Sequence, residues 1–240
     1  MIFRRLTRIS SIPEELLNFN DLVGIYSRQS EIKINLLGET RRLEVRPIGS
    51  KNSNNQHWIC SNHSVIFGDV RLLKRAAREI ANRVRPFHPE ILLTAESKGI
   101  LLTGLVAEVL ELDSIEVCRK DIKAYNRDVL SVEIDSTISG RERLILDHSS
   151  IQNLKGKRIG IVDDVVATGA NIIGMNKLAL LAGGKPVVNA CIWVEGVPRA
   201  KDALMIRRDL IYLALLPEFF SKYQLKNVEK RFALLTSGRE

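Results

Sequence analysis

The stretch 159-IGIVDDVVATGAN-171 decides the fold. Its apolar start predicts a buried strand over 157–162, and two adjacent carboxylates, Asp163 and Asp164, follow at the strand's end. A short turn of small and hydroxyl-bearing residues, 167–171, then leads into an apolar segment with helical spacing. Strand, turn and helix in this order predict an α/β unit with polar side chains at its connecting loop.

The turn has the chemistry of an anion site. The first amides of a helix have no intrahelical acceptor and the helix dipole is positive there, Gly169 lets the backbone approach a ligand, and Thr168 supplies a hydroxyl. A phosphate monoester fits such a turn, whereas Asp163 and Asp164 would repel it and suit hydroxyl groups nearby. One phosphate and two vicinal hydroxyls describe ribose 5-phosphate. The residues expected to bind it are Asp163, Asp164, Ala167, Thr168, Gly169, Ala170 and Asn171.

The chain around this stretch alternates between short apolar strands and helices. Helices are expected at 69–84, 99–112 and 170–184, and strands at 90–95, 114–118, 157–162 and 186–194. This alternation predicts the α/β class, with a parallel twisted sheet flanked by helices. Ligands of such sheets bind at the carboxyl ends of the strands, which is where the turn lies.

Two segments interrupt the alternation. A polar run at 49–57 predicts a boundary between a small N-terminal α+β appendage (1–57), containing a β-hairpin, and a core (58–240). We expect the appendage to support dimerisation or to roof the site. The segment 120–144 is charged, weakly periodic and too long for an ordinary connection, which favours a flexible loop that acts as a mobile lid.

Composition narrows the class of protein. The net charge of +8 fits anionic partners, but it fits an ordinary solvated basic surface equally well. Three widely spaced cysteines argue against a zinc site or a disulfide framework and favour a reducing, cytoplasmic location. No segment is apolar enough to span a membrane, and a nucleotide triphosphatase is disfavoured because neither GxxxxGK[ST] nor GxGxxG occurs.

The stretch 159–171 resembles the phosphoribosyl-pyrophosphate signature of type I phosphoribosyltransferases, and the resemblance extends over roughly 60–220. It implies that fold, with a hood to which 194–240 contributes, and transfer of ribose 5-phosphate from phosphoribosyl pyrophosphate to a base. It further implies Mg²⁺ held mainly by ligand oxygens and water, with no direct protein ligand, and a homodimer.

Other stretches support the resemblance. AESKGI (95–100) is similar to the family's pyrophosphate loop, which implies diphosphate binding by Ser97, Lys98 and Gly99 and a cis peptide bond near Glu96–Ser97. CRKDIK (118–123) is similar to the basic stretch after the next strand. It implies that Arg119, Lys120 and Lys123 neutralise pyrophosphate, although ordinary solvent-facing cations would give the same sequence pattern. The family's flexible catalytic loop falls at 120–144, so Glu133 and Asp135 are the candidate catalytic acids.

The identity of the acceptor base is indicated by weaker sequence signals. The expected base-binding residues are Phe67, Val165, Trp193 and Glu195, of which Trp193 would serve equally as a core residue. Glu195 suits a base edge that donates hydrogen bonds, and LALLPEFF (213–220) is similar to the adenine branch, whereas the loop around 131–140 is closer to the xanthine and purine-repressor branches. We therefore expect adenine as the acceptor, giving AMP and pyrophosphate in purine salvage.

Two alternatives remain open, and a third is disfavoured because we find no ATP site in the sequence. The acceptor could be hypoxanthine, guanine, xanthine or orotate. The protein could be a non-catalytic transcription regulator that senses phosphoribosyl pyrophosphate. Nucleic acid is nevertheless a disfavoured partner, because the first 60 residues do not follow a helix-turn-helix pattern. A phosphoribosyl pyrophosphate synthetase would need a longer chain and an ATP site.

Overall fold

The computed structural model describes residues 12–49, 56–61, 68–122, 128–136, 140–199 and 201–237. Its helices are α1 (Glu14–Leu17), α2 (Phe19–Leu22), α3 (Val70–Val84), α4 (Gly99–Leu110), α5 (His148–Leu154), α6 (Ala170–Leu181), α7 (Lys201–Ile206) and α8 (Lys222–Thr236). Its strands are β1 (Val23–Ile25), β2 (Glu31–Leu36), β3 (Glu39–Glu44), β4 (Arg46–Ile48), β5 (His57–Ile59), β6 (Ile91–Ala95), β7 (Ile115–Cys118), β8 (Leu130–Ser136), β9 (Gly140–Leu146), β10 (Arg158–Val166), β11 (Lys185–Glu195), β12 (Leu210–Ile211), β13 (Ala214–Leu216) and β14 (Glu218–Phe220).

The predicted parallel sheet is present. Within the described residues six strands form it, in the order β12-β11-β10-β6-β7, with β13 pairing to the far end of β11. Every pairing in this sheet is parallel. The carboxyl ends of β6, β10 and β11 therefore meet at one edge, and the loops that follow β6 and β10 carry the predicted binding residues.

Two apolar cores cover the two faces of this sheet. Successive side chains of a strand point to opposite faces, so Ile91 and Leu93 join one core whereas Leu92 joins the other. The first core contains the buried side of α6, and the second contains α3 and α4. Burial on both faces explains why these strands appear as continuous apolar runs in the sequence.

The aspartates lie within a strand and not after it. We expected the strand to end at 162, but β10 continues to Val166 because Val165 and Val166 pair with Trp193 and Val194 of β11. The following helix does begin at Ala170, as predicted. The side chains of Asp163 and Asp164 are therefore positioned by the sheet itself.

Much of the segment 120–144, which was expected to be a flexible loop, is strand. Leu130–Ser136 (β8) and Gly140–Leu146 (β9) pair in antiparallel fashion, and this hairpin packs on α6. Val132, Ile134 and Leu144 direct their apolar side chains at Gly174 of that helix, and this burial stabilises the hairpin. Lys123 lies in 123–127, outside the described residues.

A second sheet draws strands from both ends of the chain. In the described residues its order is β1-β14-β5-β4, and β1 pairs in parallel with β14 although about 195 residues separate them. The predicted N-terminal hairpin is present as β2–β3. Strands on both sides of residue 57 thus share one sheet. Among the described helices none has the length and apolarity needed to cross a membrane.

Candidate active site

The turn between β10 and α6 presents the start of a helix to an open cleft. Gly169 is the N-cap at φ 83°, and no side chain caps the helix. This left-handed backbone conformation and the neighbour Ala203, whose Cβ would lie 3.0 Å from an added Cβ, both favour glycine here. Thr168 Oγ1 accepts a long hydrogen bond, 3.4 Å, from the amide of Ala170. The first amides of α6 therefore lie where a ligand anion would meet them.

The cleft brings together residues that are far apart in the sequence. Its lining includes the continuous segment from Val165 to Ile172. The other lining residues are Ile48, Ile59, Ser61, Lys98 and Glu195. The second sheet, which contributes Ile48 and Ile59, thus adjoins the cleft.

The two aspartates are held close to this lining in a low-dielectric environment. Asp163 is only 4% exposed; its Oδ1 accepts from the Asp164 amide at 2.9 Å, and its Oδ2 lies 3.4 Å from Nδ2 of Asn171. Burial, reinforced by the neighbouring charge of Asp164, raises the pKa of Asp163 well above the usual range. Burial also raises the pKa of Asp164, against the opposing charge of Lys98. Such an environment strengthens hydrogen bonds from a ligand's hydroxyls.

The loop after β6 reaches the same site. A cis peptide bond joins Glu96 and Ser97, as expected. Ser97 is exposed, Lys98 lines the cleft and Gly99 begins α4 directly against Asp163. A positive side chain and the start of a helix therefore stand beside the aspartates, an arrangement suited to a second anion.

The chain is similar in sequence to purine phosphoribosyltransferases and to a purine regulator. An adenine phosphoribosyltransferase of Methanococcus vannielii is 30% identical over 120 residues, which cover 50% of this chain and 66% of the relative. A xanthine phosphoribosyltransferase of Clostridioides difficile is 27% identical over 150 residues, covering 62% of this chain and 76% of the relative. A probable purine biosynthesis transcriptional regulator of Streptococcus pneumoniae is 32% identical over 109 residues, which cover 45% of this chain and 38% of the regulator.

The fold agrees with these relatives. The structure of an adenine phosphoribosyltransferase from Giardia lamblia, complexed with 9-deazaadenine, superposes with a TM-score of 0.59, covering 71% of this chain and 93% of that one at 18% identity. The chain shares its fold with type I phosphoribosyltransferases. The match to the Methanococcus enzyme spans just under two thirds of that relative's length. No protein-family model matches the chain.

Two of the cations expected to face pyrophosphate are paired with carboxylates of their own chain. Arg119 Nη1 donates to Glu96 Oε1 at 3.1 Å, and the Lys120 amide donates to Glu96 Oε2 at 3.2 Å. The Lys120 ammonium donates to Glu142 Oε2 of the hairpin at 2.7 Å. Lys98 is thus the basic residue that the structure brings to the cleft itself.

The candidate catalytic acids lie on the hairpin. Glu133 is exposed and lines a second cavity together with Lys120, Arg141 and Arg143, none of which lines the first cleft. For Asp135 the structure describes the backbone in β8 but not the side chain. The structure therefore does not bring Glu133 to the turn between β10 and α6, and its catalytic role stays a prediction.

The predicted base-binding residues are distributed unevenly. Val165 and Glu195 line the cleft, whereas Trp193 is 1% exposed and packs in the core, with no hydrogen-bond partner for its indole N–H among the described residues. Glu195 Oε1 accepts from the amides of Cys60 and Ser61, at 2.6 and 2.9 Å, and its Oε2 accepts from the Ser61 hydroxyl. Phe67 lies outside the described residues.

The sequence reasoning missed several residues of the site. Ile48, Ile59 and Ser61 line the cleft from the second sheet, and Arg207 contacts the turn from behind. Their positions depend on pairings across the whole chain, and no motif marks them.

The metal ion that the family resemblance implies has no preformed set of protein ligands. The described residues contain no cluster of three or more His, Cys, Asp or Glu side chains suited to a metal.

Proposed function

We propose that this protein transfers ribose 5-phosphate from phosphoribosyl pyrophosphate to adenine, forming AMP and pyrophosphate in purine salvage. One observation carries the proposal: the helix N-terminus at 167–171 and Lys98 line one cleft, and buried Asp163 and half-buried Asp164 precede this lining directly in β10. The turn binds the 5-phosphate. The aspartates accept hydrogen bonds from the ribose hydroxyls.

The diphosphate is assigned to the loop after β6. Ser97, Lys98 and Gly99 offer one cation and backbone amides at the start of α4, and Arg119 and Lys120 join them if their pairs with Glu96 and Glu142 exchange. Mg²⁺ fits beside this loop without a protein ligand, because the described residues form no metal cluster and the diphosphate and water would supply the oxygen ligands that the ion prefers. When bound, the ion neutralises charge on the leaving diphosphate.

The reaction separates charge, and the protein's part is electrostatic. As the bond from the sugar to the diphosphate breaks, the ring becomes positive and the leaving group becomes more negative. Asp163 and Asp164 hold the ribose on one side, and Lys98 faces the leaving group on the other. The hairpin β8–β9, which carries Glu133 and Asp135, is the segment that would exclude water and handle the proton of the base.

Adenine is favoured by the acceptors at the end of β11. Glu195 is a carboxylate that lines the cleft, and it would accept a hydrogen bond from the exocyclic amino group of adenine, while Val165 covers a face of the base. A 6-oxopurine would present a carbonyl to the same carboxylate, which is unfavourable. The curated relatives named above include adenine and xanthine enzymes, so hypoxanthine, guanine, xanthine and orotate remain the alternatives to test.

A regulator that senses phosphoribosyl pyrophosphate is the second candidate, because the Streptococcus regulator matches 109 residues. One assay distinguishes the enzyme from the regulator. The protein is incubated with Mg²⁺, phosphoribosyl pyrophosphate and each of adenine, hypoxanthine, guanine, xanthine and orotate, and pyrophosphate and nucleotide are quantified. AMP formation with adenine at the highest kcat/KM is expected. Binding of phosphoribosyl pyrophosphate without turnover of any base would instead identify the regulator.

The protein's location and oligomeric state belong to the same proposal. We infer a cytoplasmic location, supported by Cys60, Cys118 and Cys191, which are all buried free thiols. We also infer a homodimer, which sedimentation velocity would test.

A further inference from the structure

Arg207 is a fully buried cation behind the phosphate turn. It is 0% exposed and lies in a short 3-10 helix, Arg207–Asp209, that follows α7. Its Nη2 donates to two backbone carbonyls, that of Ala167 at 3.2 Å and that of Gly196 at 2.9 Å. Its Nε and Nη1 have no hydrogen-bond partner among the described residues.

The two carbonyls belong to different parts of the cleft. Ala167 begins the turn, and Gly196 follows Glu195 at the end of β11, the strand assigned to the base. Ala203 of α7 meanwhile packs against Gly169. The segment 201–209 thus packs against the turn, and Arg207, which does not line the cleft, ties the turn to β11.

This contact fixes the direction of an amide. In a trans peptide the C=O of one residue and the N–H of the next point in opposite directions. Because the Ala167 carbonyl is held by Arg207 behind the turn, the N–H of Thr168 is directed away from Arg207. Thr168 lines the cleft, so its N–H is turned toward the place where an anion binds.

The charge of Arg207 also favours an anion at the turn. Among the described ion pairs none includes Arg207, although the charge of Glu218 favours its protonated form. A buried cation is costly unless an anion compensates it. An anion in the turn would do so across one peptide unit, in a low-dielectric interior where the attraction is only weakly screened.

We propose that Arg207 is a positioning residue for the 5-phosphate: it holds the Ala167 carbonyl away from the cleft, and its buried charge raises the affinity of the turn for a phosphate monoester. The inference rests on the proposed function, since it assigns the turn to the phosphate of the sugar and not to the diphosphate. Arg207 touches no ligand and acts through the backbone.

The test compares ligands that use different parts of the site. Titration calorimetry measures the Kd values of ribose 5-phosphate and inorganic pyrophosphate for the wild type, Arg207→Met and Arg207→Lys. Arg207→Met is expected to weaken ribose 5-phosphate by about tenfold or more and pyrophosphate by less than about twofold. Arg207→Lys keeps the charge and should lose less. The matched control is Arg85→Met, because exposed Arg85 also donates to a carbonyl, that of Val109, but lies away from the cleft.

Equal losses for both ligands, or no loss for ribose 5-phosphate, would overturn the inference. If Arg207→Lys lost as much affinity as Arg207→Met, the part of the inference that concerns the charge of Arg207 would be overturned. If Arg207→Met does not fold, ¹⁵N-arginine NMR of the wild type decides: the protected guanidinium of Arg207 should shift with ribose 5-phosphate and not with pyrophosphate, and an unmoved signal contradicts us. A wild type that binds no ribose 5-phosphate would instead refute the proposed function.

Discussion

Gly99 is in direct contact with Asp163: a Cβ built on Gly99 would lie 2.9 Å from Oδ1 of Asp163 and 2.4 Å from Oγ1 of Thr94. Gly99→Ala therefore has to displace the aspartate or the start of α4. We expect a free energy of unfolding lower by about 1–3 kcal/mol and weaker binding of phosphoribosyl pyrophosphate. Chemical denaturation and calorimetry measure the two effects.

The matched control is Gly104→Ala in the same helix, where an added Cβ would meet nothing within 4 Å. That variant should be more stable by about 0.5–1 kcal/mol, because alanine favours the helix, and its binding should be unchanged. If Gly99→Ala behaved like Gly104→Ala, the tight contact with Asp163 would be wrong.

The buried carboxylate of Asp163 should lower the free energy of unfolding at neutral pH, and it should be necessary for binding phosphoribosyl pyrophosphate. Because its pKa is raised in the folded state, its contribution to stability is present at low pH and is lost as the pH rises through the folded pKa. Asp163→Asn keeps the acceptor for the Asp164 amide and removes the charge. At pH 7 it should raise the free energy of unfolding by about 0.5–2 kcal/mol. It should also lower kcat/KM for phosphoribosyl pyrophosphate by about 10- to 100-fold.

Exposed Asp113 provides the comparison, because Asp113→Asn removes one carboxylate away from the cleft. A less stable Asp163→Asn protein with full activity would contradict both the burial argument and the ribose assignment.

Glu195 should make stability depend on pH near neutrality. Burial raises its pKa to about 7 from 4.5, so its favourable contribution is complete below pH 4.5 and declines as the pH rises to about 7. Glu195→Gln keeps an acceptor for Cys60 and Ser61 and does not ionise. Its stability advantage over the wild type should grow between pH 5 and pH 8, toward an upper limit of about 3 kcal/mol.

Urea denaturation at several pH values measures that difference. Glu108→Gln, which alters an exposed carboxylate on α4, is the matched control. A constant difference between Glu195→Gln and wild type over this range would show that Glu195 is not desolvated as the structure implies.

The hairpin β8–β9 should be docked on α6 and sensitive to one added methyl group. A Cβ on Gly174 would lie 2.7 Å from Ile134 Cγ2 and 2.9 Å from Leu144 Cδ1. Gly174→Ala should push the hairpin away, so that amide hydrogen exchange over 130–146 accelerates at least about tenfold, for a cost of 1–3 kcal/mol. Gly104→Ala again serves as the control, and unchanged protection in Gly174→Ala would refute the packing.

The stretch 159–171 was predictable because its chemistry is local. Strand, carboxylates and turn follow one another within thirteen residues, so sequence order alone places Asp163 near Gly169. The end of the strand was misplaced because acids and small residues normally indicate a turn, whereas pairing of Val165 and Val166 with β11 overrides that preference. Tertiary hydrogen bonds decided the boundary.

The contacts that complete the site had no local signal. Glu195 binds the amides of Cys60 and Ser61 across about 135 residues, and Arg207 reaches Ala167 across 40. The hairpin is different, because Val132 and Ile134 alternate with Glu133 and this period of two was present in the sequence. The surrounding charges obscured it, and only the apolar face of α6 shows what the hairpin covers.

The central claim is that Asp163, Asp164 and the turn 167–171 hold the ribose 5-phosphate half of phosphoribosyl pyrophosphate. Titration calorimetry with Mg²⁺ tests it most directly, using the wild type and the double variant Asp163→Asn/Asp164→Asn. The account predicts that the double variant loses about 100-fold or more in affinity for phosphoribosyl pyrophosphate and for ribose 5-phosphate while pyrophosphate binds as before. Equal affinity of wild type and double variant for phosphoribosyl pyrophosphate would contradict it.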